Sequence, residues 1–135
     1  MAAFSKEERA AMRAALAEAR AAAQGADQAA ACRAAIAEMT GRDRELAETL
    51  DELVTRHTTL RPKTWYGMPA YANDEGRVVV FFQSAAKFKV RYATIGFQEA
   101  AHLDEGHLWP TAYAVTALTA ADKKRLLALV RRAVG

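Results

Sequence analysis

The sequence predicts an α+β fold: N-terminal helices, an antiparallel sheet of about four to five strands, a C-terminal helix, and the helices packed on one sheet face. Two observations carry this prediction. The first 60 residues hold 19 alanines and a single aromatic residue, Phe4, whereas ten of the eleven aromatic residues lie between Trp65 and Tyr113. Across the same boundary the apolar residues change from a helical spacing to an alternating, strand-like spacing.

Alanine-rich helices are predicted at the start of the chain. Ser5 is followed three residues later by a glutamate, which is a capping box and begins a first helix over residues 6–23. Gly25 is expected to end this helix, and a second helix follows over residues 27–39. Because the apolar positions of the first helix are mostly alanine, we expect it to bury little area.

The third and the last predicted helices have the clearest amphipathic patterns. The third covers residues 42–57 and ends before Pro62, which has no amide hydrogen for a helical bond. The last begins at a cap formed by Thr119 and Asp122. The predicted buried stripes are Leu46, Leu50, Leu53 and Val54 in the third helix, and Leu126, Leu129 and Val130 in the last.

The segment between these two helices predicts an antiparallel meander. Residues 77–83 are apolar on both faces, which indicates a central strand. Residues 67–69 form a corner between the first two strands, because glycine and proline interrupt regular structure there. The predicted strands are residues 64–66, 70–73, 77–83, 88–95 and 113–115.

Length and composition are those of one small globular protein. The 135 residues carry a net charge of +3 and contain one cysteine, Cys32, so no disulfide can form within the chain. No apolar run approaches the roughly 20 residues that a membrane span requires. These features favour a cytoplasmic protein with no membrane partner. We divide the chain into an alanine-rich helical extension, residues 1–41, and an α+β domain, residues 42–135.

Positive charge is concentrated in the predicted sheet. Residues 61–97 hold six basic and two acidic side chains, a net +4, which leaves −1 for the rest of the chain. Duplex DNA usually requires a denser basic surface, so duplex DNA is an unlikely partner. The excess of positive charge in residues 61–97 instead favours a neutral or anionic ligand for this segment.

The strand-rich half also carries a family resemblance. Residues 65–71 read Trp-Tyr-Gly-Met-Pro-Ala-Tyr, and an apolar run at 78–82 and an alternating run at 87–92 follow. Over residues 42–134 this pattern resembles the YdhG-like family of small bacterial proteins, domain-of-unknown-function family 1801. The resemblance implies an α+β fold and no catalytic residue set. One branch of that family is described as a frataxin-like intracellular iron chaperone, so the resemblance also implies iron as a partner.

The first candidate site is the aromatic corner. Trp65, Tyr66 and Tyr71 flank the turn that contains Met68 and Pro69. One interpretation is that these residues only fill the core, since aromatic side chains dominate core burial. The other is a concave ligand pocket whose walls are Trp65 and Tyr71.

The second candidate site is a basic stripe on the predicted strand 88–95. Lys87, Lys89 and Arg91 alternate with apolar residues, so we expect them to project from one face at steps of roughly 7 Å. Such a stripe is either a solvated strand face or a surface that binds phosphate, carboxylate or a single strand of nucleic acid.

Two further groups of residues are weaker candidates for a functional site. His102, Asp104, Glu105 and His107 lie in one predicted loop, yet their spacing matches no named metal site, so we interpret them as a solvated loop. Cys32 lies on a helix stripe and is interpreted as a small buried apolar residue.

We therefore expect a small, non-enzymatic binding or carrier domain that takes a small anionic or aromatic ligand at the aromatic corner and the basic sheet face. Two alternatives stay open: an iron chaperone, by resemblance alone, and an enzyme with a dispersed site. The sequence contains no catalytic, metal-ligand or cofactor motif, so no residue is assigned to those roles and the cofactor is unknown. A homo-oligomer also stays open.

Overall fold

The computed structural model describes residues 4–135, apart from the side chains of residues 18, 21 and 22. The strands form one antiparallel sheet in the order β1-β2-β3-β4-β5, so the predicted α+β meander is confirmed. The elements are α1 (Lys6–Ala37), α2 (Gly41–His57), β1 (Arg61–Trp65), β2 (Met68–Ala72), β3 (Val78–Gln83), α3 (Ala85–Phe88), β4 (Ala93–Phe97), β5 (Ala112–Val115) and α4 (Ala120–Val134).

The core lies between one face of the sheet and the helices α1, α2 and α4. Strand register places Tyr71 opposite Val80 and Phe82 opposite Ile95, and all four side chains are buried. The helices contribute their predicted stripes to the same apolar cluster, although Leu129 is only partly buried. The helical contributions are Cys32 and Ile36 from α1, Leu46, Leu50, Leu53 and Val54 from α2, and Leu126 and Val130 from α4.

The central strand is β3, as predicted from its continuous apolar run. Its register with β2 shifts at Tyr71 and Ala72, so one strand holds an extra residue at a β-bulge. Val79 and Val80 are adjacent in sequence and both are buried. The bulge explains how two consecutive side chains enter the core, which strict alternation would not allow.

Helix α1 is uninterrupted, so the predicted end at Gly25 is wrong. A glycine inside a helix costs only about 1 kcal/mol relative to alanine, and the alanines on both sides favour the helix. Every described side chain from residue 4 to residue 27 is exposed, whereas Cys32 and Ile36 are buried. The C-terminal part of the predicted extension is therefore part of the core.

Among the described helices, none combines the length and the apolar character that a bilayer crossing requires.

The predicted strand over residues 88–95 is also wrong at its start. Residues 85–88 form the one-turn helix α3, and Lys89 ends it in the left-handed conformation with φ +54°. The reason lies in α2, where the Asp43 carboxylate accepts hydrogen bonds from the Ala85 and Ala86 amides at 2.9 and 3.0 Å. This carboxylate accepts from two backbone N–H groups at the N-terminus of α3. In a strand, two consecutive N–H groups point to opposite sides and could not both reach one carboxylate.

Candidate functional site

One face of the sheet is not covered by the helices, and it carries the candidate site. In the register, Lys63 lies opposite Ala70, Ala70 opposite Phe81, and Phe81 opposite Gly96. Because directly paired residues share a sheet face, Lys63 and Phe81 lie on the same side, together with Trp65 two residues along β1. We call this side the open face.

Three aromatic rings form a cluster on the open face. The ring centroids of Trp65 and Phe81 are 5.1 Å apart, and those of Trp65 and Tyr66 are 4.9 Å apart with an edge-to-face angle of 74°. Trp65 and Phe81 are half-buried, but Tyr66 is 82% exposed. The cluster therefore offers aromatic surface to solvent, a feature that favours contact with a flat ligand ring.

Gly96 makes room for this cluster. A Cβ atom at this position would overlap the ring of Phe81, so the ring lies directly over the Gly96 backbone. Glycine inside a strand often marks such a close approach. The Phe81 ring can occupy this position because residue 96 has no side chain. Phe81 in turn contacts Trp65, so the absence of a side chain at residue 96 also affects the position of Trp65.

We expect Gly96→Ala to lower the free energy of unfolding by about 1–3 kcal/mol, because the new methyl group forces the Phe81 ring to move. Trp65 contacts that ring, so its fluorescence emission should shift as well. Chemical denaturation and emission spectra, recorded in a Trp109→Phe background, measure both effects. Ala112→Gly on the neighbouring strand β5 is the control. An emission spectrum that is unchanged in Gly96→Ala would contradict the close approach of the Phe81 ring to residue 96.

The turn beside the cluster is tighter than the predicted corner at residues 67–69. Trp65 pairs with Met68, so the loop contains only Tyr66 and Gly67, and both have positive φ, +50° and +77°. These angles match the type I′ turn of two-residue hairpins, which normally has asparagine or aspartate followed by glycine. A bulky aromatic residue in this conformation is strained, and strain of this kind is frequent at functional sites.

A cleft of about 330 Å³ opens on the open face beside Lys63 and Trp65 of β1. Trp65 forms one wall, and the side chains of Lys63, Arg77 and Gln98 line the rest together with Glu99. Arg77 is paired with Glu99 at 3.7 Å, but both side chains are largely exposed, so this ion pair contributes little stability. The cleft therefore combines an aromatic wall, two cationic side chains and an amide.

The structure divides the predicted aromatic corner between the two faces of the sheet. Trp65 and Met68 lie on the open face and Tyr66 lies in the turn, whereas Pro69 and Tyr71 are fully buried. Trp65 and Tyr71 point to opposite faces, so the predicted pocket between them does not exist. The reason is the alternation of side chains along β1 and β2, since Tyr71 pairs with Pro62 and not with a residue on the face of Trp65.

The predicted basic stripe is dispersed as well. Lys87, Lys89 and Arg91 are all exposed, but they lie on α3 and the segment after it rather than on one strand. The Lys87 Nζ atom lies 3.3 Å from the position that a Cβ atom on Gly67 would take, so Lys87 reaches the hairpin turn. Arg91 instead packs over the ring of Tyr92, 5.2 Å from its centroid. Lys87 therefore approaches the turn beside the open-face cluster.

Four residues of the cleft and the cluster were not predicted as site residues: Lys63, Arg77, Phe81 and Gln98. The alternation Lys63-Thr64-Trp65 was a usable signal, because residues two apart in a strand share a face. Phe81 and Gln98 come next to β1 only through strand register, which no local pattern indicates.

Tyr71 belongs to a buried polar cluster on the core side. Its hydroxyl donates a hydrogen bond to Asp51 Oδ1 at 2.7 Å, and the Cys32 thiol approaches the hydroxyl oxygen at 4.0 Å. Burial raises the pKa of Tyr71, and the neighbouring Cys32 and Asp51 raise it further. Burial, followed by the Asp51 carboxylate, also raises the pKa of the Cys32 thiol. Both groups therefore stay protonated at neutral pH, and Cys32 is not an activated nucleophile.

These pKa directions predict a loss of stability at alkaline pH. The unfolded chain releases the thiol proton near its ordinary pKa of about 8.5 and the phenol proton near about 10, whereas the folded chain keeps both. The free energy of unfolding should therefore fall above about pH 8.5, by at most about 1.4 kcal/mol per pH unit for each group. Urea titrations at several pH values measure this slope. Cys32→Ala should remove the first part and Tyr71→Phe the second, and slopes unchanged by either variant would contradict the assignment.

The polar loop after β4 forms no compact ligand set. His102 and His107 are exposed, as are Asp104 and Glu105. Within residues 4–135, no group of three or more histidine, cysteine, aspartate or glutamate side chains is arranged to hold a metal ion.

Comparison of the chain with protein-family models, with curated proteins and with solved structures found no match. The resemblance to the YdhG-like family therefore stays a prediction from the residues quoted for it.

Proposed function

We propose that this protein is a binding domain for a small organic anion that carries a flat unsaturated ring, and that the ligand lies in the cleft on the open face. The observation that carries the proposal is the combination of the Trp65 wall with Lys63 and Arg77 in one cleft of about 330 Å³. That volume is within the range of about 300–1,000 Å³ that small-molecule sites occupy.

Charge supports the anionic part of this proposal. Lys63 and Arg77 both line the cleft, and the one acidic lining residue, Glu99, is 93% exposed at its side chain. Glu99 can therefore turn into solvent and leave the Arg77 guanidinium to a ligand. Arginine binds carboxylate and phosphate through two parallel hydrogen bonds, which gives both affinity and orientation.

The aromatic cluster supports the flat ring. Phe81 holds Trp65 from one side, so the indole is supported before any ligand arrives. A supported aromatic wall loses little conformational freedom on binding, and this favours affinity. Gln98 adds an amide that can donate and accept hydrogen bonds at the ligand's edge.

Fluorescence of Trp65 tests the proposal. In a Trp109→Phe background Trp65 is the remaining tryptophan, so quenching reports on the cleft alone. We expect saturable quenching at low ionic strength by at least one member of a panel of aryl carboxylates, aryl phosphates and nucleoside monophosphates. Lys63→Gln and Arg77→Gln should each weaken binding by about three- to tenfold, because exposed charge-assisted bonds are partly screened.

Arg131→Gln is the control, since it removes one positive charge from the exposed surface of α4 and Arg131 does not line the cleft. It should leave the affinity unchanged. The proposal fails if no panel member quenches Trp65 at low salt, or if Arg131→Gln weakens binding as much as Arg77→Gln does.

A further inference from the structure

Strand β5 lies at the edge of the sheet. Within residues 4–135, no strand pairs with it on the side away from β4. The Phe97 amide donates a hydrogen bond to the Thr111 carbonyl at 2.7 Å, so the backbone groups of Thr111, and of Tyr113 two residues later, point at β4. The N–H and C=O groups of Ala112 and Ala114 therefore point outward, and both residues are exposed.

This edge lacks the features that usually prevent a sheet from pairing with another chain. Residues 111–118 contain no charged residue and no proline, and the pairing of β5 with β4 contains no bulge. The opposite edge is β1, which carries Arg61, Pro62 and Lys63 and contacts α1. Charged side chains, proline and a covering helix all protect an edge strand. The contrast indicates that β5 is the edge at which a further strand can be added.

A groove of about 280 Å³ lies beside this edge, between β5 and α4. Tyr113 pairs with the core residue Ile95, so its side chain lies on the helix-covered face and forms the strand side of the groove. A chain added to β5 continues the sheet, so every second side chain of that chain points to this same side. The apolar lining of the groove consists of Ile95, Leu118, Leu126 and Leu129, of which Leu118 and Leu129 are only partly buried.

The groove also contains a cation that can meet an acidic side chain. Its charged lining residues are Asp122 and Arg125. One carboxylate oxygen of Asp122 already accepts hydrogen bonds from the amide and the hydroxyl of Thr119, at 3.0 and 2.8 Å. Arg125 is exposed, lies over the ring of Tyr113 at 5.9 Å from its centroid, and takes part in none of the ion pairs among the described residues.

We propose that the groove between β5 and α4 binds an extended peptide segment, which joins the sheet as a sixth strand. An extended backbone presents the alternating N–H and C=O groups that match the outward groups of Ala112 and Ala114. Two of its side chains, two positions apart, face the groove. One is apolar and packs on Leu118 and Leu129, and the other is a carboxylate that pairs with Arg125. This groove shares no lining residue with the cleft on the open face.

A second copy of this chain fits the same edge less well. Pairing of β5 with β5 about a two-fold axis brings the two copies of Tyr113, and with them the two Arg125 guanidinium groups, close together. Residues 108–121 contain no acidic side chain to compensate, and Asp122 is bonded to its own Thr119. An acidic peptide supplies the missing negative charge, so charge complementarity favours a peptide.

Selection from a displayed library of random peptides, with the full chain as the target, tests this proposal. We expect the selected peptides to share an apolar and an acidic residue two positions apart. Their affinities are measured by fluorescence polarisation of labelled synthetic copies. Arg125→Glu should weaken binding at least tenfold. Lys124→Glu is the matched control, since Lys124 is an exposed neighbour on α4 that does not line the groove, and it should leave the affinity unchanged.

Two changes to the backbone test the strand addition itself. Ala114→Pro removes an outward N–H that the sheet does not use, so the variant should fold, as urea unfolding would show, and bind the peptides at least tenfold more weakly. N-methylation of the peptide should abolish binding at alternate residues and be tolerated at the residues between, whatever the stability of the proline variant.

Several results would overturn the proposal. These are a selection that yields no binding peptide, peptides that bind the wild type and Arg125→Glu equally, retention of full affinity by folded Ala114→Pro, and N-methyl groups that are tolerated at every position. A wild-type dimer in sedimentation equilibrium that Arg125→Glu strengthens would also overturn it, because a second copy would then occupy the edge.

Discussion

Replacement of Leu50 by alanine is expected to lower the free energy of unfolding by about 2–5 kcal/mol. Leu50 is 0% exposed and lies at the centre of the apolar cluster between α2 and the sheet. Truncation removes its contacts and leaves a cavity, because the neighbouring strand residues are fixed by their hydrogen bonds and cannot close around a smaller side chain.

Urea unfolding followed by circular dichroism measures this effect. Glu45→Ala on the same helix is the control, since the Glu45 side chain is 70% exposed and pairs only with the exposed Arg42. We expect the control to change stability by less than about 0.5 kcal/mol. A loss in Leu50→Ala no larger than that of the control would show that α2 does not fill the main core.

Replacement of Asp43 by alanine is expected to lower the free energy of unfolding by about 2–4 kcal/mol, as hydrogen bonds to a buried charged group contribute more than neutral ones. Asp43 is only 8% exposed, and its two oxygens accept from the Ala85 and Ala86 amides. Without the carboxylate, both amides at the start of α3 lose their acceptor, and the segment that leads into β4 loses its attachment to α2.

Hydrogen exchange distinguishes this local effect from general destabilisation. In Asp43→Ala, residues 85–92 should exchange faster, whereas the amides of β3 should change only with global stability. Asp43→Asn retains one acceptor oxygen and should lose about half as much stability. Equal exchange of residues 85–92 in the wild type and Asp43→Ala, each corrected for global stability, would contradict the capping role.

Much of the fold follows from short-range rules in the sequence. The buried stripe of α2 and the caps at Ser5 and Thr119 depend on residues three to eight positions apart, and the structure confirms them. The central position of β3 also follows from its own composition, because a continuous apolar run on both faces is typical of a central strand, although the helices cover only the core face. These features require no knowledge of what lies beside them in space.

The candidate site follows from such rules only in part. Trp65 and its neighbour Lys63 share a face by simple alternation, but the two-residue loop that strains Tyr66 was predicted as a corner at residues 67–69 and is known only from the pairing of Trp65 with Met68. The contact of Trp65 with Phe81, and of Phe81 with the bare backbone of Gly96, depends on the registers of three strands. A shift of one residue in any of these registers would move the rings to the other face of the sheet.

The fold class, the amphipathic stripes, the caps and the concentration of aromatic and basic residues in the sheet follow from the amino-acid sequence alone, because each depends on neighbours along the chain. The helix at residues 85–88 instead depends on a contact in space, because the Asp43 carboxylate that caps it is 42 residues away. Likewise, only the packing decided that Tyr71 is buried while Trp65 lines a cleft. Local propensities differ by about 1 kcal/mol or less per residue, so a single long-range contact of two or three kcal/mol overrides them.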